Sequence, residues 1–360
     1  MPGFNGAMLR LARQFRGFHQ KELADRIGVD AAILSRAENG ALQPSQAVID
    51  SCAEALSVRT PFFEKNYHPS GIPLSFHPMW RKRQSVSQRE VDRVLAGANI
   101  RAMHLRELMP SIIFEPELKI PQYEPGEYGR NCREIAKLVR RAWSIPAGPL
   151  VNLTDYVERA GIFVFHSDLE KIDVDGLTLR LAGLPPIVVL NGNLPADRMR
   201  FTLAHELAHL VMHSVPSPDM EKEANEFASG LLIPADDIRP YFKGRRIDLQ
   251  LAARLKPEWR VSMAALLYAA DELGYVGPGQ KQLLWKRYSA MGYKSRGEPQ
   301  ELNFPVEPTT LNRRLIDAHI NELGYSLDDL ADLFALLPDD ICTMYGIEKP
   351  RSGLRIVRWP

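Results

Sequence analysis

The chain has 360 residues, of which 45% are hydrophobic and 25% are charged, and its formal net charge is +1. This length accommodates two or three domains, each with its own hydrophobic core. No apolar run approaches the roughly 20 residues that span a bilayer, and the N-terminus lacks the apolar stretch of a signal peptide. Three widely spaced cysteines, Cys52, Cys132 and Cys342, do not make a disulfide framework. We therefore expect a cytoplasmic, multidomain protein with reduced cysteines and no membrane contact.

Residues 7–63 have the pattern of several short helices separated by glycine and proline. Gln20 to Ile27 is a two-turn amphipathic segment that Gly28 ends, and Asp30 is a suitable N-cap for the next segment, Ala31 to Asn39. Two short helices joined by a turn at a glycine predict a helix-turn-helix, whose second helix enters the major groove of DNA. The alternative for this segment is a four-helix module that binds another protein.

The sequence QKELADRIGVDAAILSRAENGALQPS resembles the XRE (Cro-type) helix-turn-helix family. The resemblance implies binding to double-stranded operator DNA, usually as a homodimer. It places Gln20 and Lys21 against the DNA backbone. The residues that it places on or near the reading helix are Ala31, Ala32, Ser35, Arg36 and Asn39. The two alanines replace the amide or hydroxyl side chains that usually read base edges, although alanine can contact a thymine methyl group.

The segment 67–129 connects this domain to the rest of the chain. Val86 to Leu108 has apolar residues at helical spacing and predicts one long helix, which could supply a dimer contact or pack on the next domain. Trp80 to Arg83 is a basic cluster that suits either a phosphate-contacting arm or a solvated loop. Pro110 to Gly129 contains four prolines and predicts an extended linker.

From Arg130 onward, helical and extended patterns alternate and predict an α+β domain. The segments CREIAKLVRRAW and PLVNLTDYVERA are typical of amphipathic helices. Three short apolar runs predict strands of a small sheet: Gly161 to Phe165, Gly176 to Leu181 and Pro186 to Asn191. An edge strand of such a sheet can hold an extended peptide by backbone hydrogen bonds.

The next helix, Arg198 to His213, contains the motif His205-Glu206-Leu207-Ala208-His209. Positions i and i+4 lie on one helix face, so both imidazoles can reach one metal ion, while Glu206 is placed to accept a proton from water. The alternative is a helix with two histidines at the edge of the core and an ordinary surface glutamate. We interpret His213 as a histidine that supports His209, because three ligands on one helix would strain the geometry.

A zinc site of this kind needs a third protein ligand. Met220 to Pro234 predicts a second helix, which carries Glu221, Glu223 and Glu226. Glu223 lies one turn before Phe227 on the apolar face and should point inward more than Glu221 does. Glu223 is therefore the predicted ligand.

The segments FTLAHELAHLVMH and EANEFASGLLIP resemble the ImmA/IrrE family of zincin-like metallopeptidases, and the match runs from Ile135 to Tyr293. Known members act in gene regulation by cleaving a repressor. The resemblance implies Zn²⁺ as cofactor, Glu206 as general base, and His205, His209 and Glu223 as ligands. Relatives often carry a further carboxylate where this chain has Gly230, which leaves the third ligand open.

These patterns predict a multidomain, mainly α-helical protein with one small β-sheet. The expected domains are an all-α helix-turn-helix domain at 1–66, a connecting helix and linker at 67–129, an α+β zincin-like domain at 130–294 and a helical regulatory or interaction module at 295–360.

Two functions fit the sequence. The first is a transcriptional repressor that carries a zinc-dependent endopeptidase domain, whose substrate is this chain near its linker or a partner repressor. The second is a repressor or antitoxin whose zincin-like domain binds a ligand, or a partner such as a toxin, without turnover. A free-standing digestive peptidase does not explain the helix-turn-helix.

Overall fold

The computed structural model describes residues 3–70, 87–169, 171 and 174–348. These residues form two compact units, the first made of residues 3–70, 88–113 and 311–348 and the second of Ser87 and the described residues from 114 to 310. No helix in the described ranges is long and apolar enough to cross a membrane. The basic cluster Trp80 to Arg83 lies outside the described residues.

The first unit begins with four short helices. They are α1 (Gly6–Phe15), α2 (Gln20–Ile27), α3 (Ala31–Glu38) and α4 (Gln46–Ala55). Gly28 ends α2 with a φ of 70°, a left-handed conformation that glycine adopts without strain. Asp30 caps α3, because its side chain accepts a hydrogen bond from the backbone N–H of Ala32 at 2.7 Å. The predicted pair of short helices and its turn are therefore confirmed.

A buried carboxylate joins α1, α2 and α3. The carboxylate belongs to Glu38, which is 3% exposed. Arg13 donates to its two oxygens at 2.5 and 2.9 Å, and Gln20 donates to one of them at 2.8 Å. A bidentate arginine contact fixes orientation as well as charge, so this cluster sets the angle between the two helices of the turn.

The same unit contains the long helix α5 (Gln88–Leu108), which packs on α1. Its apolar face is buried within the chain at Val91, Ala98, Ala102 and Leu105. The dimer contact that the sequence suggested for this helix stays a prediction.

Three C-terminal helices complete the first unit: α15 (Leu311–Asn321), α16 (Leu327–Phe334) and α17 (Pro338–Tyr345). Val58 and Leu336 form an antiparallel bridge, and Arg16 makes an ion pair of 2.6 Å with Asp340. The sequence predicts a helical regulatory or interaction module at 295–360, and this domain boundary stays a prediction. Helical periodicity identified its apolar faces but not the distant residues that cover them.

The second unit holds the sheet and the remaining helices. The helices are α6 (Cys132–Ala142), α7 (Leu153–Arg159), α8 (Ala196–Met212), α9 (Met220–Leu232), α10 (Ala235–Phe242), α11 (Leu249–Trp259), α12 (Met263–Glu272), α13 (Pro278–Ala290) and α14 (Tyr293–Arg296). The strands are β1 (Phe163–Ser167), β2 (Gly176–Leu179) and β3 (Ile187–Asn191). The described chain is thus mainly α-helical with one small sheet, as predicted.

The sheet has the order β1-β3-β2. β1 runs parallel to β3, with Phe163 opposite Ile187, while β2 runs antiparallel to β3, with Thr178 opposite Val188. β2 therefore forms one edge of the sheet, and it packs against α8. The three predicted strands are confirmed to within a few residues at their ends.

The proline-rich segment 114–129 packs on the second unit instead of forming a free linker. The backbone N–H of Leu118 donates to Arg159 at 3.0 Å, and that of Tyr123 donates to Val211 at 3.0 Å. The indole N–H of Trp143 donates to the carbonyl of Lys119 at 2.9 Å. The prolines prevent regular structure, but the remaining backbone groups still find partners.

The packing of α16 and α17 in the first unit can be tested at two adjacent leucines. Leu336 is fully buried, whereas Leu337 is 39% exposed. We expect Leu336→Ala to lower the free energy of unfolding of this unit by about 2–5 kcal/mol because it leaves a cavity. Leu337→Ala is the control, with an expected change within about 0.5 kcal/mol. Urea denaturation of the full chain measures both, and equal effects would contradict the observed packing.

Candidate functional sites

α8 carries the two histidines of the motif on one face. The Nε2 atoms of His205 and His209 lie 3.1 Å apart. His209 is 5% exposed, and the His205 side chain is 12% exposed. The helix therefore presents both nitrogens to one point.

Glu221, in the first turn of α9, faces the same point. Its Oε2 lies 3.4 Å from Nε2 of His205, and its Oε1 lies 3.5 Å from Nε2 of His209. The three donor atoms all lie within 4.8 Å of one another. Oε1 of Glu221 is buried and has no hydrogen-bond partner in the described chain. An unpaired buried carboxylate oxygen is costly, so the group is incomplete without a cation.

Glu223, the predicted third ligand, does not join this group. Its carboxylate accepts a hydrogen bond from Arg130 at 2.8 Å and lies 3.2 Å from Nε2 of His213. Glu223 does point inward, at 5% exposure, as the sequence predicted. Residues two positions apart point to different sides of a helix, and it is Glu221 that lies beside the two Nε2 atoms. Metal ligation by Glu223 stays a prediction from the sequence.

Hydrogen bonds on the far side of each imidazole fix its tautomer. Nδ1 of His209 lies 2.9 Å from Nδ1 of His213, whose Nε2 donates to Glu223. His213 therefore accepts at Nδ1, and His209 donates from its own Nδ1. His205 likewise donates from Nδ1 to Oδ1 of Asn225 at 3.1 Å. In their neutral forms both motif histidines therefore keep a lone pair on Nε2, which is the form that a metal binds.

Burial and charge act on these imidazoles in different ways. Burial lowers the pKa of His209 well below its ordinary value, and the neighbouring histidines lower it further. Burial also lowers the pKa of His213, although the hydrogen bond to Glu223 opposes this. For His205, burial favours the neutral form, but the hydrogen bond to Glu221 and the charges of Glu206 and Glu221 outweigh it and raise the pKa. Among these three histidines, His205 is thus the one whose pKa the nearby carboxylates raise above its ordinary value.

Glu206 lies beside the histidines in the core and is 2% exposed. Thr178, on the edge strand β2, donates from Oγ1 to Oε2 of Glu206 at 2.6 Å. The sequence analysis did not identify Thr178. The available signal was a single polar residue between the two leucines of the strand, but only the pairing of β2 with β3 and its packing on α8 bring Thr178 to the carboxylate.

Gly230 lies where α9 packs against α6. A Cβ atom there would lie 2.9 Å from the Cα atom of Arg133, closer than real Cβ atoms approach a backbone. A carboxylate at this position would have to displace α6. Gly230 therefore serves the close contact between two helices, and the carboxylate that lies beside the two histidines, Glu221, is at the other end of α9.

The predicted DNA-contacting residues lie on the surface of α2 and α3 to different degrees. Lys21, Ala32, Arg36 and Asn39 are exposed, whereas Gln20, Ala31 and Ser35 are half-buried. Two of the polar groups also have partners within the chain. Gln20 donates to Glu38, and the side-chain Oδ1 of Asn39 accepts from Arg10 at 2.5 Å. The Arg36 side chain donates to the carbonyl of Ala32 in its own helix at 3.4 Å.

Two family models match the chain. Residues 9–63 match the model described as helix-turn-helix, and residues 157–271 match a peptidase family described as the IrrE N-terminal-like domain. The chain therefore carries a segment that matches helix-turn-helix proteins, followed by a segment that matches the IrrE N-terminal-like domain. The second match includes His205, Glu206, His209 and Glu221. No curated protein matches the chain. Both predicted resemblances are confirmed, and they support a DNA-binding regulator with a zincin-like domain.

Proposed function

We propose that the IrrE-like domain holds Zn²⁺ at His205, His209 and Glu221 and hydrolyses a peptide bond in a protein, and that this reaction controls DNA binding by the helix-turn-helix. The observation that carries the proposal is the convergence of two imidazole nitrogens and a buried, unpaired carboxylate oxygen on one point.

The spacing of the donor atoms is compatible with zinc. Bonds of about 2.0–2.2 Å in a tetrahedron place neighbouring ligand atoms about 3.3–3.6 Å apart. The two Nε2 atoms lie 3.1 Å apart, and with one donor atom from each of the three residues every separation is within 4.8 Å. Two imidazoles and one carboxylate are also the donor set of catalytic zinc sites. Zinc held by these residues would polarise a peptide carbonyl and lower the pKa of water to about 7.

Glu206 is the proposed general base. Its carboxylate would take a proton from the attacking water and pass it to the leaving amine nitrogen. The hydrogen bond from Thr178 holds this carboxylate in one orientation. Because Thr178 lies on the edge strand, this hydrogen bond would fix the position of the base relative to a peptide bound to that strand.

The edge strand β2 is the proposed site for the peptide backbone. β2 pairs with β3 on one side, and no strand in the described ranges pairs with its other side. An extended segment can add to such an edge through main-chain hydrogen bonds. Recognition of this kind suits a protein substrate with an exposed loop or terminus.

A partner protein is the better substrate than this chain's own segment 114–129. That segment donates two backbone hydrogen bonds to the second unit and accepts a third from Trp143. Cleavage within it would first require its release. A repressor or a toxin that binds the domain remains the proposed partner.

The second candidate is a repressor or antitoxin that keeps this site without turnover. The burial of Glu206, at 2% exposure, favours it, because a peptide must reach the base for hydrolysis. In this candidate the metal stabilises the fold, and the domain binds a partner or a ligand.

For the helix-turn-helix we propose contacts to the DNA backbone from Gln20 and Lys21. The residues proposed to face the bases are Ala31, Ala32, Ser35, Arg36 and Asn39. Among these, the Arg36 side chain is the one whose charge and exposure suit a base edge or a phosphate. Homodimerisation would double the contact.

Metal content tests the ligand assignment. We expect about one zinc per purified chain, and we expect His205→Ala or Glu221→Gln to abolish it, since each removes a donor. Glu223→Gln is the matched control on the same helix. It removes only support for His213, so its zinc affinity should fall by about 10–100-fold at most. Elemental analysis with chelator competition measures each affinity. Loss of zinc in Glu223→Gln but not in Glu221→Gln would favour the ligand predicted from sequence.

Glu206→Gln tests turnover. The amide keeps the shape of the carboxylate but accepts no proton, so the variant should bind zinc normally and lose peptide cleavage. The measurement is mass spectrometry of a proteome-derived peptide library treated with either protein. Products found only with the wild type support hydrolysis. Identical products from both would exclude Glu206 as the base, and no products from either would favour the second candidate.

Arg36→Ala tests the DNA surface. The variant should bind a DNA sequence selected on the wild-type protein more weakly by about 1–3 kcal/mol if Arg36 contacts a base. Arg314, an exposed cation on α15, provides the charge-matched control Arg314→Ala. Gel-shift titration of both full-length variants measures the difference, and equal affinities would remove Arg36 from the interface.

A further inference from the structure

The second unit contains a cavity of about 800 Å³ that the proposed metal chemistry does not use. Small-molecule sites usually have volumes of about 300–1,000 Å³. The lining comes from α6, α8, α9, α11, α12 and α13 and from the segment 293–303. None of the residues assigned to the metal or to proton transfer lines it.

The cavity is lined by residues on the two helices that carry the proposed metal donors. Phe201 and Arg198 line it and precede His205 by four and seven residues on α8. Ser229 also lines it and follows Asn225 by four residues on α9. Such spacings keep side chains on one helix face, so the cavity begins about one turn from the metal-facing histidine.

A buried ionic cluster forms part of the cavity wall. It also holds the chain that follows α14. Lys256 is 1% exposed and contacts Asp197 at 2.5 Å and Glu298 at 2.8 Å. Glu298 also accepts hydrogen bonds from the backbone N–H groups of Met263 and Ala264, at the N-terminus of α12, at 2.9 and 3.0 Å. These contacts of Glu298 hold the segment that follows α14 against α11 and α12. The wall of the cavity is therefore fixed by hydrogen bonds and ion pairs.

The charged side chains of the lining have an excess of cations. Five are basic (Arg133, Arg198, Lys256, Lys294 and Arg296) and three are acidic (Asp197, Glu272 and Glu298), which leaves a net charge of +2. Arg133 pairs with Glu272, and Arg198 pairs with Asp175. Lys294 and Arg296, both on α14, are exposed and have no acidic partner within 4.0 Å in the described chain. A bound anion could form ion pairs with both of these side chains.

Aromatic rings also line the cavity. The Tyr288 and Tyr293 ring centroids are 5.4 Å apart, and Trp285 lies behind the lining, 5.5 Å from Tyr288 and 4.5 Å from Tyr268. Tyr268 lines the cavity and is 54% exposed, although it is a large aromatic side chain. Planar apolar groups bind well against such rings.

We infer that this cavity binds a small organic anion with a planar, apolar body. Its negative group pairs with Lys294 and Arg296, and its body lies against Tyr268 and Phe201. The site is separate from the metal centre, and it does not require the chain to be an active peptidase. A ligand here would contact α8 and α9, the two helices that carry the proposed metal donors.

The test uses 8-anilinonaphthalene-1-sulfonate, an aromatic sulfonate whose fluorescence rises in an apolar site, with the zinc-loaded full-length protein. We expect saturable binding of one probe per chain. The double variant Lys294→Gln/Arg296→Gln should weaken it about 5- to 10-fold through the loss of two charge-assisted contacts. Tyr268→Ala should also weaken it. The matched control is Lys243→Gln/Arg246→Gln, which removes two exposed cations outside the cavity and should leave affinity unchanged.

A neutral probe separates charge from apolar contact. N-phenyl-1-naphthylamine has the same rings without the sulfonate, so it should bind more weakly than the anion and should not respond to the Lys294/Arg296 double variant. Equal affinity for both probes, equal effects of the two double variants, or binding that does not saturate would overturn the inference. Circular dichroism of each variant confirms that its helices are intact.

Discussion

The account of the second unit depends on the close approach of three metal-binding side chains, His205, His209 and Glu221, which is unfavourable unless a cation lies between them. Two imidazole nitrogens and a carboxylate oxygen face one another across α8 and α9, and that oxygen of Glu221 is buried without a hydrogen-bond partner. Burying such groups is costly unless something compensates them. Zinc binding is worth about 10–16 kcal/mol in small structural sites, which is comparable with the net stability of a typical domain, about 5–15 kcal/mol. In our account, metal binding and the packing of these two helices are therefore parts of one equilibrium.

A hydrogen-bonded chain behind His209 keeps the donors in the correct form. Arg130 holds Glu223, Glu223 accepts from His213, and His213 accepts from His209. Because Nδ1 of His209 donates to His213, the lone pair of neutral His209 lies on Nε2, next to Nε2 of His205. This explains why α9 carries two buried or half-buried glutamates two residues apart. In our account Glu221 binds the metal, and Glu223 orients a ligand.

Much of this organisation follows from local sequence. The caps and glycines around α2 and α3, the three strands and the i, i+4 histidines are all properties of short segments, and they were predicted correctly. The position of Glu221 beside the two histidines was not predicted, because it requires knowing which side of α9 faces them. The contacts of Thr178 and of the predicted C-terminal helices were not predicted for a similar reason. Their partners lie far away in sequence, at Glu206 in one case and at Val58 in the other, and periodicity carries no information about such pairings.

The central claim is that Glu221 completes the zinc site. The most direct test is the crystal structure of the zinc-loaded protein, with anomalous difference maps recorded on both sides of the zinc absorption edge. Our account predicts one strong peak at bonding distance from Nε2 of His205, Nε2 of His209 and an oxygen of Glu221, with Glu223 still bound to His213. A peak coordinated by Glu223, or no peak between the two histidines, would contradict it.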